Sequence, residues 1–312
     1  MLVTTSASLN HDLPITMGCR RSPRSAVLTC VESIARARLS PSLSNRTTPI
    51  LHVAEQLESL RQRIAARNES DTPAEYLQRL AITQTGDAFN LDFYGDCFDE
   101  SYDDLLNTLA LPVVAASVRS LILRGPDEGA NGTRNWDIEP LLATDATFPQ
   151  LETFSVQLTR PADHNRSIIG SVYEEDGILA RLLAKSPRIL ELTVPSAPNA
   201  AFFDVGQRPI RFLSVDAGYD TQDFISNLAK SSCFPSLQSL EWGEYHETYM
   251  DDYVTHCTPK EHYQELFRSN AFGPVTRFVW RNPICNEDEI AELKSVKPSL
   301  QLLVVRYSDE YA

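Results

Sequence analysis

Eight six-residue stretches of the chain share one pattern, apolar at the first, fourth and sixth places. They are AFNLDF (88–93), VRSLIL (118–123), LETFSV (151–156), ILELTV (189–194), IRFLSV (210–215), LQSLEW (237–242), VTRFVW (275–280) and LQLLVV (300–305). Alternation of this kind predicts strands, with the third and fifth places on the sheet face opposite the fourth. Those places hold Asn90 and Asp92, Ser120 and Ile122, Thr153 and Ser155, Glu191 and Thr193, Phe212 and Ser214, Ser239 and Glu241, Arg277 and Val279, and Leu302 and Val304. Eleven of the sixteen are polar, so one face of the sheet is expected to be wet over most of its width. The apolar exceptions gather in the last two stretches, where a terminal cap would cover them.

Helix signals lie between the stretches. Ser101 precedes Leu105, Leu106 and Leu109; Thr221 precedes Phe224, Ile225 and Leu228; Thr258-Pro259 opens a run with Leu266 and Phe267. Asn286 with Glu289 forms a capping-box pattern ahead of Ile290 and Leu293. Proline stands one or two residues before six of the stretches, at Pro149, Pro187, Pro209, Pro235, Pro274 and Pro298. Proline cannot continue a helix and pushes its predecessor to extended backbone, so it marks each helix-to-strand switch. Strand, helix and strand in short succession mean parallel strands. A doubly wound sheet would bury both faces and make its strands apolar throughout. The polar third and fifth places instead predict an α/β repeat solenoid with one face under helices and the other open, spanning residues 85–312.

Upstream, Val53, Leu57, Leu60 and Ile64 form an amphipathic helical stripe, and Thr72-Pro73 with Leu77 and Leu80 reads as a second short helix. Together, residues 51–84 are expected to form a helical cap over the first repeat. Residues 1–50 show no sustained period and many Ser, Thr, Pro and Arg, and are expected to be disordered.

The spacing L-x-x-L-x-L, as in Leu237-Gln-Ser-Leu240-Glu-Trp242, resembles the leucine-rich repeat. The strand-plus-helix unit is similar to the ribonuclease-inhibitor-like subclass or a degenerate bacterial relative. That resemblance implies a parallel-sheet horseshoe whose concave face binds another protein. At the ninth place, where the family carries Asn or Cys, this chain has Asp96, Pro126, Thr159, Ala197, Gly218, Tyr245, Pro283 and Ser308.

Charge narrows the partner. The chain carries a formal −14; residues 1–50 hold six arginines and two acids, which leaves −18 on the remainder. A body that acidic repels phosphate backbones, so no nucleic-acid partner is expected. No apolar run approaches the ~20 residues of a membrane span, and the first thirty residues lack the apolar core of a secretory signal. The Arg- and Ser-rich start faintly suggests a transit peptide, but a disordered or misplaced start is the plainer reading. Six scattered cysteines without a C-x-x-C fit thiols in a reducing compartment, and a cytoplasmic location is expected.

No phosphate-binding loop, nucleophile elbow or zinc-protease motif occurs, so neither catalytic residues nor a cofactor is assigned. Segment 242–263 concentrates His246, His256, His262, Cys257, Asp251 and Asp252, donors that suit zinc or iron. The histidine spacings of ten and six residues match no familiar ligand arrangement. No metal is therefore assigned, and a metal-dependent enzyme stays the alternative, with a purely structural domain as a third reading. Tyr245, Tyr249, Tyr253 and Tyr263 serve either as partner anchors or as ties to their own domain. The acids Glu174-Glu175, Asp251-Asp252 and Glu287-Asp288-Glu289 read as solvated surface, the last in a helix's first turn.

The open face carries the main expectation. The seventh place of each unit leaves the strand toward that side, and with its neighbours it forms a charged stripe. Asp92, Arg124, Glu191, Asp216, Glu241, Arg277, Arg281 and Arg306 are the candidate partner-binding residues. The middle of the stripe is acidic and its C-terminal end basic. The expected function is non-enzymatic recognition of another protein on this face.

Overall fold

The computed structural model describes residues 44–127, 129, 132–161, 163–170, 175–245 and 252–307. The stretch read as disordered therefore lies outside the described residues up to residue 43. The chain begins with helix α1 (Ser44–Ala66), strands β1 (Arg79–Thr85) and β2 (Ala88–Tyr94), and helices α2 (Glu100–Leu109) and α3 (Pro112–Ala115). Strands β3 (Val118–Arg124) and β4 (Gly132–Trp136), helix α4 (Glu139–Leu142), strands β5 (Thr153–Val156) and β6 (Asn165–Ile169) and helix α5 (Ile178–Lys185) follow. Then come β7 (Glu191–Val194), β8 (Phe212–Asp216), α6 (Phe224–Lys230), β9 (Ser239–Gly243), α7 (Lys260–Arg268), β10 (Arg277–Arg281), α8 (Glu287–Val296) and β11 (Gln301–Val305).

All eight patterned stretches are strands of one nine-stranded sheet, ordered β1-β2-β3-β5-β7-β8-β9-β10-β11. Every neighbouring pair from β2 onward is parallel. Because each crossover advances in the same direction, right-handed connections put their helices on one face. Successive helices accordingly touch, α1 on α2, α2 on α4, α4 on α5, α6 on α7 and α7 on α8.

The core is a ladder. Leu91, Leu121, Phe154, Leu192, Leu213, Leu240 and Phe278 stand in register across seven strands. Each is at most 1 % exposed. Burying one such side chain is worth roughly 1.5–3 kcal/mol, so this row is the apolar spine of the fold. The prolines do more than stop helices. At Pro149, Pro187, Pro235 and Pro298 the amide of the strand's first apolar residue donates to the carbonyl of the residue before proline. Proline thus fills the second position of a four-residue turn, where its fixed φ belongs. The turn delivers Leu151, Ile189, Leu237 and Leu300 into the core, all buried.

Three differences from the sequence reading stand out. First, the second short helix read from Thr72 to Leu80 is not formed. Arg79–Thr85 is the antiparallel strand β1, joined to β2 through the two-residue loop Gly86-Asp87. Gly86 has φ 62°, which such a tight hairpin loop requires. Helix α1 does form, with Val53, Leu57, Leu60 and Ile64 buried against α2 and β1.

Second, β11 is displaced by one residue from the shared template. Phe278 pairs with Leu302 and Trp280 with Val304, so Leu302 and Val304 take the helix side. Leu303 and Val305 point to the open face, where Leu303 is 48 % exposed. A shift of one residue exchanges the two faces of a strand.

Third, the long intervals after β3 and β5 hold an unforeseen two-stranded parallel sheet, β4–β6. It sits at the C-terminal ends of the main strands. Ile169 N donates to Ser196 Oγ at 3.0 Å, and the Thr133 and Tyr219 hydroxyls lie 3.0 Å apart. Trp136 packs edge-on against Phe93 and Tyr102 and donates its indole N–H to Ser167 Oγ at 3.1 Å. Buried Arg134 and Asp163 form an ion pair between this sheet and the loop before it.

Candidate binding face and the arginine cluster at its end

Asn90, Ser120, Thr153, Ser155 and Thr193 lie side by side on the open face, all partly exposed. Among the eight candidate residues only Glu191 is an exposed acid on this face, touched by Thr153 Oγ1 at 3.4 Å. Asp92 is held by the fork of Arg124 on the next strand, Nε to Oδ1 at 2.8 Å and Nη2 to Oδ2 at 2.6 Å.

Asp216, Glu241, Arg277 and Arg281 form one network. Glu241 accepts from Arg277 Nη1 at 2.7 Å, from Arg281 Nη1 at 3.2 Å and from the Ser214 hydroxyl at 3.2 Å. Arg281 Nη2 reaches Asp216 Oδ1 at 2.8 Å and the Val215 carbonyl at 3.3 Å. Burial alone would lower the Arg281 pKa, but Asp216, with Tyr307 and Glu241 behind it, outweighs burial and leaves the guanidinium above its usual value. Gly243 makes the crossing of these chains feasible, since a Cβ there would stand 2.1 Å from Asp216 Oδ1.

The stripe read as acidic in the middle and basic at one end is therefore largely self-neutralised. Strands β8, β9 and β10 are neighbours, so the two acids meet the two arginines directly. Arg306 leaves the set altogether. Its guanidinium donates to the Pro283 and Cys285 carbonyls at 2.5 and 2.6 Å. It lines a hollow with Leu302, Val304 and Ile290 on the helix side, as the shifted register of β11 requires.

Segment 242–263 is tied to the core by Glu244. This buried carboxylate accepts from Trp242 Nε1 at 2.7 Å, from the Thr258 amide at 3.1 Å and from the Tyr263 hydroxyl. Trp280 Nε1 extends the chain to Tyr263 at 3.1 Å. Burial raises the Glu244 pKa above the usual carboxylate value despite these donors. Tyr245 and Tyr263 are both buried, so they anchor the segment to its own domain. His246, Tyr249 and Asp251 lie outside the described residues. Among the described residues no group of three or more His, Cys, Asp or Glu could hold a metal ion. His256 is exposed beside Asp252 at 3.5 Å, and burial lifts the Cys257 thiol to about 12. Glu175, read as solvated, is buried instead. It accepts from the amides of Gly177 and Leu179 at the start of α5 and from that of Asn199 beyond β7.

No sequence pattern marks Arg160, Arg166, Tyr219 or Tyr307. With Arg281 and Asp216, three of them surround a cavity of about 40 Å3 at the C-terminal ends of β8–β10, and the Arg166 guanidinium carbon lies 5.0 Å from the Tyr219 ring centre and 5.1 Å from that of Tyr245. None of these residues falls in a six-residue stretch, so no periodicity marked them.

A scan against family models and searches of curated proteins and solved structures returned no match to this chain. Among the described residues no helix is long and apolar enough to cross a membrane.

Proposed function

We propose that the chain is a non-enzymatic binding or scaffold protein that recognises another protein on the open face of its large sheet. One observation carries this reading: strands added in chain order bury one face under helices and present rows of small polar side chains on the other. It supports a reading as a repeat solenoid of the leucine-rich-repeat kind, which the L-x-x-L-x-L spacing resembles, and the open faces of such solenoids commonly hold partners. The network of Asp216, Glu241, Arg277 and Arg281 stiffens one end of the face. Asn90, Ser120, Thr153, Thr193 and Glu191 leave the other end available for polar contacts.

Site-specific photo-crosslinking tests the face. A photoreactive residue at Thr153 or Thr193, both on the open side, should capture the same discrete protein in the source cell. The same residue at Glu265, exposed on helix α7, should not. Capture confined to Glu265, or equal capture at all three positions, would refute the assignment.

A further inference from the structure

At the C-terminal ends of β8–β10 the open face runs into the 40 Å3 cavity, whose opposite wall is the loop at residues 159–161. In parallel α/β sheets this end of the strands is where ligands gather. The wall contains three guanidinium-bearing residues, Arg160, Arg166 and Arg281, and one outward carboxylate, Asp216. Arg166 and Arg281 are 6 % and 8 % exposed, so they are built into the wall and not loosely laid on it. Tyr219 and Tyr245 flank Arg166, and Asp216 with Glu241 orients Arg281. Glu244 also borders the cavity, but its carboxylate is engaged by Trp242, Tyr263 and Thr258.

Size and charge select the ligand. A water needs roughly 10–15 Å3 of such space, so the cavity takes a group of a few heavy atoms; cofactor sites occupy about 300–1,000 Å3. Among the described lining residues three arginines face two carboxylates, Asp216 paired with Arg281 and Glu244 held in its own cage, so the arginines are in excess and favour an anion. Arginine forks match the planar geometry of a carboxylate. Asp216 in the same wall disfavours a doubly charged phosphate. We propose that this cavity is a carboxylate-binding site, filled either by a free small acid or by the C-terminal carboxylate of a peptide. The proposal does not depend on which protein docks on the open face.

Arginine side-chain Nε–Hε resonances give a direct readout. Titrating sodium acetate against sodium chloride at matched ionic strength should shift the Arg166 and Arg281 signals along a saturable curve. The peptide acetyl-Ala-Ala-Ala with a free C-terminus should saturate the same signals, and its C-terminal amide should not. Tighter binding by the peptide than by acetate assigns a chain end as the source, and the reverse assigns a free acid. Arg166→Gln should abolish the response. Because Arg166 is buried, the exposed-rim variant Arg160→Gln is the check, keeping the wild-type melting temperature while weakening acetate about tenfold. Identical shifts with chloride and acetate, saturation by inorganic phosphate but not acetate, or unchanged affinity in Arg160→Gln would each overturn the site.

Discussion

Glu244 shows how one residue type acquires its role from surroundings the sequence does not display. In the chain it is one acid in a polar segment, whereas in the fold it accepts three hydrogen bonds inside an aromatic cage. Its native pKa is raised, so the folded state keeps a proton that the unfolded state has released. Stability is then greatest below the ordinary carboxylate value and falls as pH rises through the window up to the raised native value. Urea unfolding across pH 4 to 8 should show this fall in the wild type, with a slope of at most about 1.4 kcal/mol per pH unit for one proton. Glu244→Gln removes that titration, so its profile should be flatter over the same window. An identical profile in the variant would mean that Glu244 is ionised throughout. The candidate site follows the same logic. The polar character of the third and fifth places was legible, because alternation is a local property. The neutralisation of Asp216 and Glu241 was not, because their arginines lie 65 and 40 or fewer residues away and meet them only through strand pairing.

Elements were legible where their signals are short-range. The eight strands, the stripe of α1 and the capping box of α8 all come from contacts within a few residues. The box is complete in both directions, Glu289 N to Asn286 Oδ1 and Asn286 N to Glu289 Oε2, each at 3.0 Å. The hairpin β1–β2 carried a signal too, Gly86-Asp87 between two alternating runs, but Pro73 and the spacing of Leu77 and Leu80 imitated a helix start. β11 is different in kind. Its residues Leu302 to Val305 are apolar throughout, so they fit either register, and only pairing with β10 chose one. Paired truncations test that choice. Leu302→Ala, on the helix side and packed against the core, should cost roughly 1–2 kcal/mol, in keeping with its partial burial. Leu303→Ala, on the open face, should stay within about 0.5 kcal/mol. The opposite ranking by thermal or chemical unfolding would restore the original template register.

For the whole molecule the decisive property is that the strands of the large sheet stand in chain order, with β4 and β6 set apart, so stability is built from adjacent units and the first unit needs cover. Helix α1 supplies it through Val53, Leu57, Leu60 and Ile64, all at most 1 % exposed. Deleting residues 1–66 should therefore lower the melting temperature by several degrees and promote aggregation, measured by calorimetry and light scattering. A truncated chain as stable as the full one would show that α1 covers nothing essential. The sequence by itself determined the eight patterned strands, the face that seven of them bury, and their parallel order, because hydrophobic alternation and proline turns act over a few residues. Tertiary structure alone decided the register of β11, the sheet β4–β6, the cancellation of the charged stripe and the convergence of Arg160, Arg166 and Arg281. Those depend on distances between residues far apart in the chain, which strand pairing sets and no local period encodes.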